Sequence, residues 1–508
     1  MPMLEKSSLL MLRRIGFVIL LVMFVGAAVV AIRDRGPWYD EFYSFYVVRP
    51  GVPVRALWPG WLRDNHPPLF YALVWGWSHL VTGFGLSDTI ESLRTLNLAI
   101  LAGVVVAFVR LARTDAWFAR IAWYDCLALA VTIPALDQID QLRSYFLSFA
   151  LSALALPLLA RRIRGCTGQY DSLTLGLILA LAFSVHLVTT VIIGGLVAAT
   201  TMQLLLTGRR ADAARLTMIA TLALVPFALS MAVQFSTILA NTQVFWIPAG
   251  LKAARWAIEL EVARALDADP VLALAALAGL ASVLVGVRRH DDEARATLNL
   301  ILTFGGGLAL ALAVLVAAHL HRPLLITRYL VALDPILALI LALCAEAMAR
   351  RLPLLATAAL DLLILAAAGL VLQAHLAATL AQPSWNGTGS AIAAIVRVCP
   401  GTIVHADMLW NTIPTRHAAA RQPRDRAVCL SRCRPPLWLY ARARSLARPV
   451  KDMPDRVLDR ACRRSASDCA GHDRRPARVG LSHRIRAGKT YRIRLDSDHR
   501  ADRLTATG

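Results

Sequence analysis

The sequence predicts an all-α polytopic membrane protein with about eleven transmembrane helices (range about ten to thirteen), on three observations. Of its 508 residues, 57% are hydrophobic and only 17% charged, and the mean hydropathy is +0.56, which removes the chain from the soluble globular class. Uncharged apolar runs recur over the first three quarters of the chain, many close to the roughly 20 residues that span about 30 Å of hydrocarbon. Between the runs stand short arginine clusters: Arg13 and Arg14, Arg110 and Arg113, Arg161, Arg162 and Arg164, Arg209, Arg210 and Arg215, Arg288 and Arg289, Arg350 and Arg351. Such clusters mark cytoplasmic loops under the positive-inside rule.

The first run, residues 15 to 32, is too long for a signal-peptide core and reads as an uncleaved first helix. The others lie near 69 to 84, 94 to 112, 117 to 136, 143 to 160, 172 to 187, 189 to 206, 214 to 236, 271 to 287, 297 to 318, 328 to 348 and 353 to 376. If every run crossed, several arginine clusters would fall outside. If 69 to 84 lies at the interface instead, every cluster falls inside, and that run, with Trp75, Trp77, Ser78 and His79, is the poorest spanner. Residues 33 to 93 then form a large first outer loop. The other outer segments are 137 to 142, about 237 to 270, 319 to 327, and everything after about 377.

On that topology the unusual polar residues collect on one side. The first loop holds Asp40 and Glu41 within Trp-Tyr-Asp-Glu-Phe-Tyr (38 to 43), and His66 within Arg-Asp-Asn-His-Pro-Pro-Leu-Phe-Tyr (63 to 71). Further along come Asp137 to Tyr145 with Arg143, then His186, then His319 to Tyr329 with Arg328. Paired carboxylates can hold a divalent cation or act as a general base, although a solvated pair beyond a helix end looks the same. Of the 37 aromatic residues, 12 lie between Trp38 and Trp77, more than an interfacial belt requires and suited to stacking on a sugar or lipid head group. Pro67 and Pro68 set the direction of His66 through the backbone. Arg143 and Arg328 stand at outer helix ends, where snorkelling is one reading and a bidentate grip on phosphate another.

Asp40 and Glu41 after the first helix, His66-Pro67-Pro68-Leu69-Phe70-Tyr71, Arg94 opening the next helix, Arg143-Ser144-Tyr145, His186 at a helix end, and Arg328-Tyr329 followed by Asp334-Pro335 together resemble the GT-C membrane glycosyltransferases. The likeness is to the branch of protein O-mannosyltransferases, lipid A aminoarabinose transferases and RgtA/B/C/D-like bacterial enzymes, and covers roughly residues 10 to 376. It implies a GT-C-type arrangement in a bacterial inner membrane; the positive-inside rule, independently, puts the N-terminus in the cytoplasm. The implied reaction moves a sugar from a polyprenyl-phosphate donor to a hydroxyl of a glycan, lipid or protein at the outer face, with inversion. By the same resemblance Asp40 is the base, supported by Glu41, and a divalent cation (Mg or Mn) held by Asp40 and Glu41 is a candidate cofactor. His66, Arg94, Arg143, Arg328 and Tyr329 would face the donor phosphate, and Tyr39, Tyr43, Tyr71, Tyr145 and His186 would line the substrate. The second acid that some branches carry near 137 to 143 has no firm counterpart in Asp137 or Asp140.

The sequence divides into a transmembrane domain, 1–376, and an Arg-rich extracytoplasmic region, 377–508. From Gln382 onward there are 25 Lys and Arg against 10 Asp, so +15 of the net +21 lies there. That charge suits lipid phosphates or a polyanionic glycan, and an outer location argues against nucleic acid. Ala391 to Val398 reads helical and Thr402 to Ala406 as a strand; past Arg421 the pattern assigns no fold, and solvated disorder is the alternative to a folded domain past about residue 440. Cys399, Cys429, Cys433, Cys462 and Cys469 lie in this region and lack zinc-ribbon spacing. The rival functions are a polytopic transporter or flippase, which would place ionisable groups near the bilayer midplane, and a scaffold, which would leave the acid and imidazole motifs without a use.

Overall fold

The computed structural model describes residues 2–48, 51–87, 89–166, 168, 170–241, 247–266 and 269–382, a few positions between 385 and 397, and the pairs 438–439 and 478–479. Two compact units result: Met1–Arg35 with Asp40–Leu380, and Gly36–Tyr39 with Ala381–Gly508. Along the chain run α1 (Pro2–Asp34), α2 (Tyr39–Val48), α3 (Val54–Trp61), α4 (Leu69–Gly83), α5 (Ile90–Thr114), α6 (Ala116–Val131), α7 (Ile133–Ile139), α8 (Tyr145–Arg164), α9 (Asp171–Phe183), α10 (Leu187–Leu206), α11 (Arg210–Asn241), α12 (Leu251–Leu266), α13 (Pro270–Arg288), α14 (Asp292–His321), α15 (Asp334–Ala349) and α16 (Leu354–Leu380). Short 3₁₀ turns at Thr327–Tyr329 and Val331–Leu333 precede α15. Local chemistry sets several ends. Asp115, Asp269 and Asp291 accept from the first free backbone N–H groups of α6, α13 and α14, and Gly165, at φ +77°, closes α8 in the left-handed region.

The chain is an all-α polytopic membrane protein. Among the described residues nine helices are long and apolar enough to cross a bilayer, or ten if α6 and α7 form one span. This is fewer than the eleven expected, for two reasons. Residues 117 to 136 do not make one straight span: α6 and α7 meet at a 64° bend at Thr132, with Pro134 in the first turn of α7. Helix α9 is 13 residues long, about 20 Å at 1.5 Å per residue, below the length counted as a span, although its start pairs with Arg161 and His186 just beyond its end stands beside His66. Helices α2, α3 and α4, with 10, 8 and 15 residues, are also too short to span.

Within the bundle α8 and α15 are the most enclosed spans, whereas α5 and α11 leave most of their aliphatic side chains on the outside. Lipid tails offer no hydrophobic drive between helices, so close approach depends on small residues. A Cβ at Gly279 of α13 would lie 1.7 Å from the Cys344 carbonyl oxygen of α15, and Gly195 of α10 faces Gly307 of α14 with a similar lack of space, 2.5 Å to its carbonyl oxygen. Gly279→Val should therefore force α13 off α15, lowering stability by about 3 kcal/mol. The check is the thermal midpoint in detergent beside that of Gly306→Val, where the added Cβ meets nothing within 4 Å.

The arginine-cluster ends of the helices are tied together by ion pairs. Arg13 of α1 bonds Asp361 of α16 at 2.8 Å, and Tyr124 of α6 donates to the same carboxylate at 2.6 Å. Glu293 of α14 pairs with both Arg120 (2.8 Å) and Arg350 (2.5 Å), and Arg161 lies between Asp115 and Asp171. Higher in the bundle, Met23 of α1 packs over Gly369 of α16. The first and last spans are thus neighbours along much of their length.

In the second unit the Trp385 N–H donates to the Pro37 carbonyl at 3.2 Å, and Trp438–Leu439 pairs in parallel with Arg478–Val479. Ala393, Ala394 and Arg397 are helical, within the stretch where a helix is expected. The strand expected at 402 to 406 and the five C-terminal cysteines lie outside the described residues.

Candidate functional site

The loops opposite the arginine clusters hold the site. Helix α2 starts four residues beyond α1 and carries Asp40 and Glu41 in its first turn, where carboxylates complement the helix dipole. Successive helical residues point about 100° apart, so the two acids diverge.

Glu41 turns inward. It is fully buried, and Arg94 of α5, equally buried, grips both its oxygens, Nε to Oε1 at 2.8 Å and Nη2 to Oε2 at 2.7 Å. The Leu142 N–H also donates to Oε1, at 2.6 Å, and Arg94 Nη1 donates to the carbonyls of Ile32 and Arg35. Beside this pair Arg35 bonds Asp140 at 2.5 Å, and the Asn97 amide donates to the carbonyls of Ile139 and Gln141. These bonds lock the 137–143 loop to α1, α2 and α5. Glu41, expected beside Asp40 as its support, is gripped by Arg94, and the donors of Arg94, expected to face a phosphate, are directed here at Glu41 and at the Ile32 and Arg35 carbonyls. Asp140 likewise is the buried partner of Arg35.

Asp40 turns the other way, with its Oδ2 3.1 Å from Arg328 Nη2. Arg143 lies next to it, donating to Ser44 Oγ at 3.2 Å and facing His66 Nε2 at 3.3 Å. Behind these groups is a ring of aromatic and imidazole side chains. His66 and His186 rings lie 5.0 Å apart, His186 and Tyr329 4.8 Å, and Tyr145 and Tyr329 5.9 Å. The guanidinium of Arg143 sits 5.8 Å from the Tyr145 ring and that of Arg328 6.0 Å from the Tyr329 ring. Asp40, His66, Arg143, Tyr145, His186, Arg328 and Tyr329, from five separate stretches of chain, thus share one place.

Three details of protonation follow. His186 caps α10 by accepting the Val188 N–H on Nδ1 at 3.2 Å, which assigns the proton of the neutral ring to Nε2. The Tyr145 hydroxyl is buried and has no hydrogen-bond partner among the described residues, so it can serve a ligand or water. Removal from water and the neighbouring Arg143 push His66 down to about 3, so its ring is neutral at physiological pH. An unfolded histidine titrates near 6.5, so below that pH the unfolded chain binds the extra proton and stability falls with pH. From pH 7.5 to pH 5 the wild type should lose about 2 kcal/mol more than His66→Gln. Thermal midpoints of the two proteins over that range check it; parallel curves would show that His66 is not held neutral.

Tyr43 and Tyr71, expected as lining residues, converge on a carboxylate not singled out from the sequence. Tyr71 donates a short bond to Asp64 Oδ2, and Tyr43 donates to Oδ1 at 3.4 Å. Asp64 is buried at 9% exposure, and burial together with Asp64 raises Tyr71 well above the usual phenol range, so that it remains a donor. The only sequence signal for Asp64 was its place two residues before His66. The side chain of Tyr39 lies outside the described residues. Among the described residues no group of three or more His, Cys, Asp or Glu side chains is arranged to hold a metal ion. Of the two carboxylates expected to hold a divalent cation, Asp40 pairs with Arg328 and Glu41 with Arg94.

No protein-family model matches the chain, and no curated protein matches it.

Proposed function

We propose that the chain is a membrane glycosyltransferase of the GT-C type, moving a sugar from a polyprenyl-phosphate donor to an acceptor hydroxyl at the non-cytoplasmic face of the inner membrane. The observation that carries the reading is the grouping of Asp40 with Arg143 and Arg328 at the bundle end opposite the arginine clusters. A sugar phosphoester needs its leaving charge neutralised, and two guanidiniums in a partly dry site do this better than in water. In the resting site Arg328 holds Asp40. An arriving donor phosphate competes for that guanidinium and frees the carboxylate. The acceptor oxygen then attacks the anomeric carbon, its proton passes to Asp40, and the carbon–oxygen bond to phosphate breaks, releasing polyprenyl phosphate. One displacement inverts the anomeric centre. His66, neutral and 3.3 Å from Arg143, adds no competing positive charge. The Tyr145 hydroxyl and the Tyr329 and His186 rings, which lie together beside Arg143 and Arg328, orient the sugar in this reading. Glu41 and Arg94 act at one remove by holding the loop that carries Arg143. The positive-inside rule puts the N-terminus in the cytoplasm and the Arg-rich second unit outside, where it can bind anionic lipid or glycan.

The test is incubation of the purified protein in lipid nanodiscs with a panel of labelled polyprenyl-phosphate sugars and envelope acceptors. Labelled acceptor plus free polyprenyl phosphate supports the reading; no transfer from any donor sinks it. The broken span at Thr132 and the buried Asp125 of α6 favour a second reading, transport of a lipid-linked substrate. Movement of a labelled lipid-linked sugar across a proteoliposome bilayer, without any chemical change, would select that reading instead.

A further inference from the structure

The segment carrying His66 has little backbone bonding of its own. The N–H groups of Leu62, Arg63 and Asp64 reach back to the carbonyls of Trp58, Gly60 and Trp61, and the two residues after His66 are prolines without an N–H. Side chains of α11 bond several of its backbone carbonyls. Gln234, fully buried on a helix that otherwise leaves most of its side chains outside, directs its Nε2 at three carbonyls of this segment: Trp61 at 3.2 Å, Asp64 at 3.2 Å and His66 at 3.0 Å. The Ser230 hydroxyl donates to Gln234 Oε1 at 2.7 Å, which fixes the amide with its NH₂ toward the loop. Two turns further on, Asn241 donates to the Arg63 carbonyl at 3.2 Å and to Asn65 Oδ1 at 3.1 Å. A buried amide in a membrane-spanning helix is costly unless satisfied, and among the described residues its bonds go to the loop and Ser230.

We propose that Gln234 is a positioning residue of the site. By holding the carbonyls of residues 61, 64 and 66 it sets His66 against Arg143 and the Asp64 carboxylate against Tyr43 and Tyr71, and so fixes the geometry in which donor and acceptor meet. The proposal rests on the glycosyltransferase reading for its catalytic consequence, and on the geometry alone for the docking of the loop. Pro226 stands two turns before Gln234 in α11, removing a backbone bond from that helix, so displacement of the end of α11 would carry the loop with it.

The experiment uses the full chain in lipid nanodiscs and two readouts. In the first, Asn65→Cys is labelled with a charged, membrane-impermeant thiol reagent, with and without Gln234→Leu. Loss of the clamp should raise the labelling rate about tenfold, as expected for a locally opened segment. In the second, Gln234→Leu should lower kcat for sugar transfer by about 10- to 100-fold, the scale of a misplacement near 1 Å. A disulfide across Asn65→Cys and Asn241→Cys in the Gln234→Leu chain should re-dock the loop and restore most of the rate. A change that merely weakened the fold would not be reversed by that disulfide. Unchanged labelling in Gln234→Leu overturns the clamp whatever the activity does. Raised labelling with unchanged kcat overturns the positioning role, as does a lost rate that the disulfide does not restore. If the wild-type chain transfers no sugar at all, the glycosyltransferase reading fails, while the labelling arm still decides whether Gln234 holds the loop.

Discussion

Asp40→Asn should leave the chain folded and inserted while lowering sugar transfer by about 10² to 10⁴-fold, the contribution of a positioned general base. The side chain of Asp40 is 25% exposed and pairs with Arg328 at 3.1 Å, so its replacement by a neutral isostere removes little packing. What it removes is the carboxylate that pairs with Arg328 and lies beside Arg143, the guanidiniums through which the donor phosphate would be held. The comparison protein is Arg328→Lys, which keeps a positive charge near Asp40 and loses the bidentate fork. It should weaken donor binding more than it changes the dependence on pH. Transfer measured in membranes containing equal amounts of each protein decides the matter, and wild-type rates for Asp40→Asn would remove Asp40 from the base role.

The second large effect is on stability. Glu41→Ala or Arg94→Ala leaves one charge fully buried and unpaired, which costs about 3 to 5 kcal/mol and should deplete folded protein. Both groups have no exposure, and between them they bind α1, α2, α5 and the 137–143 loop. The double change Glu41→Leu with Arg94→Met should recover a good part of the loss, since a buried ion pair replaced by apolar groups of similar size is often neutral or stabilising. Folded yield and thermal midpoint in detergent are the measurements. Single variants as stable as the wild type would mean that the pair is open to water or ligand, and would return Glu41 and Arg94 to the site.

These two predictions separate residues that the sequence presents as equals. The membrane class was legible because hydropathy accumulates over some 20 residues and tolerates local error. The convergence of Asp40, His66, Arg143, His186 and Arg328 was legible as well, because the parity of the spans puts their loops on one side. The direction of each side chain was not. Helix α2, Tyr-Asp-Glu-Phe-Tyr-Ser-Phe-Tyr-Val-Val, is aromatic or apolar nearly all round, so nothing in its pattern says whether Asp40 or Glu41 points inward. The partner of Arg94 is 53 residues distant along the chain and declares itself only in three dimensions. Asp64 sits in a polar stretch where an acid reads as solvated, and its two tyrosine donors, Tyr43 and Tyr71, lie on separate helices. Composition registers apolar length but neither the 64° break at Thr132 nor the 13-residue length of α9, which is why fewer than eleven helices are long enough to be counted as spans.

The bond between Arg13 and Asp361 joins residues 348 apart in sequence. During synthesis α1 leaves the ribosome long before α16 exists, so of the partners Tyr124, Glu346 and Asp361 its arginine has only Tyr124 of α6 to bond until nearly all the other spans have been inserted. Closure of the bundle is therefore among the last events of biogenesis. A nascent chain halted before Asp361 would leave Arg13 with the Tyr124 hydroxyl and the longer contact to Glu346, without its shortest carboxylate bond, a feature by which cellular quality control could recognise it as unfinished.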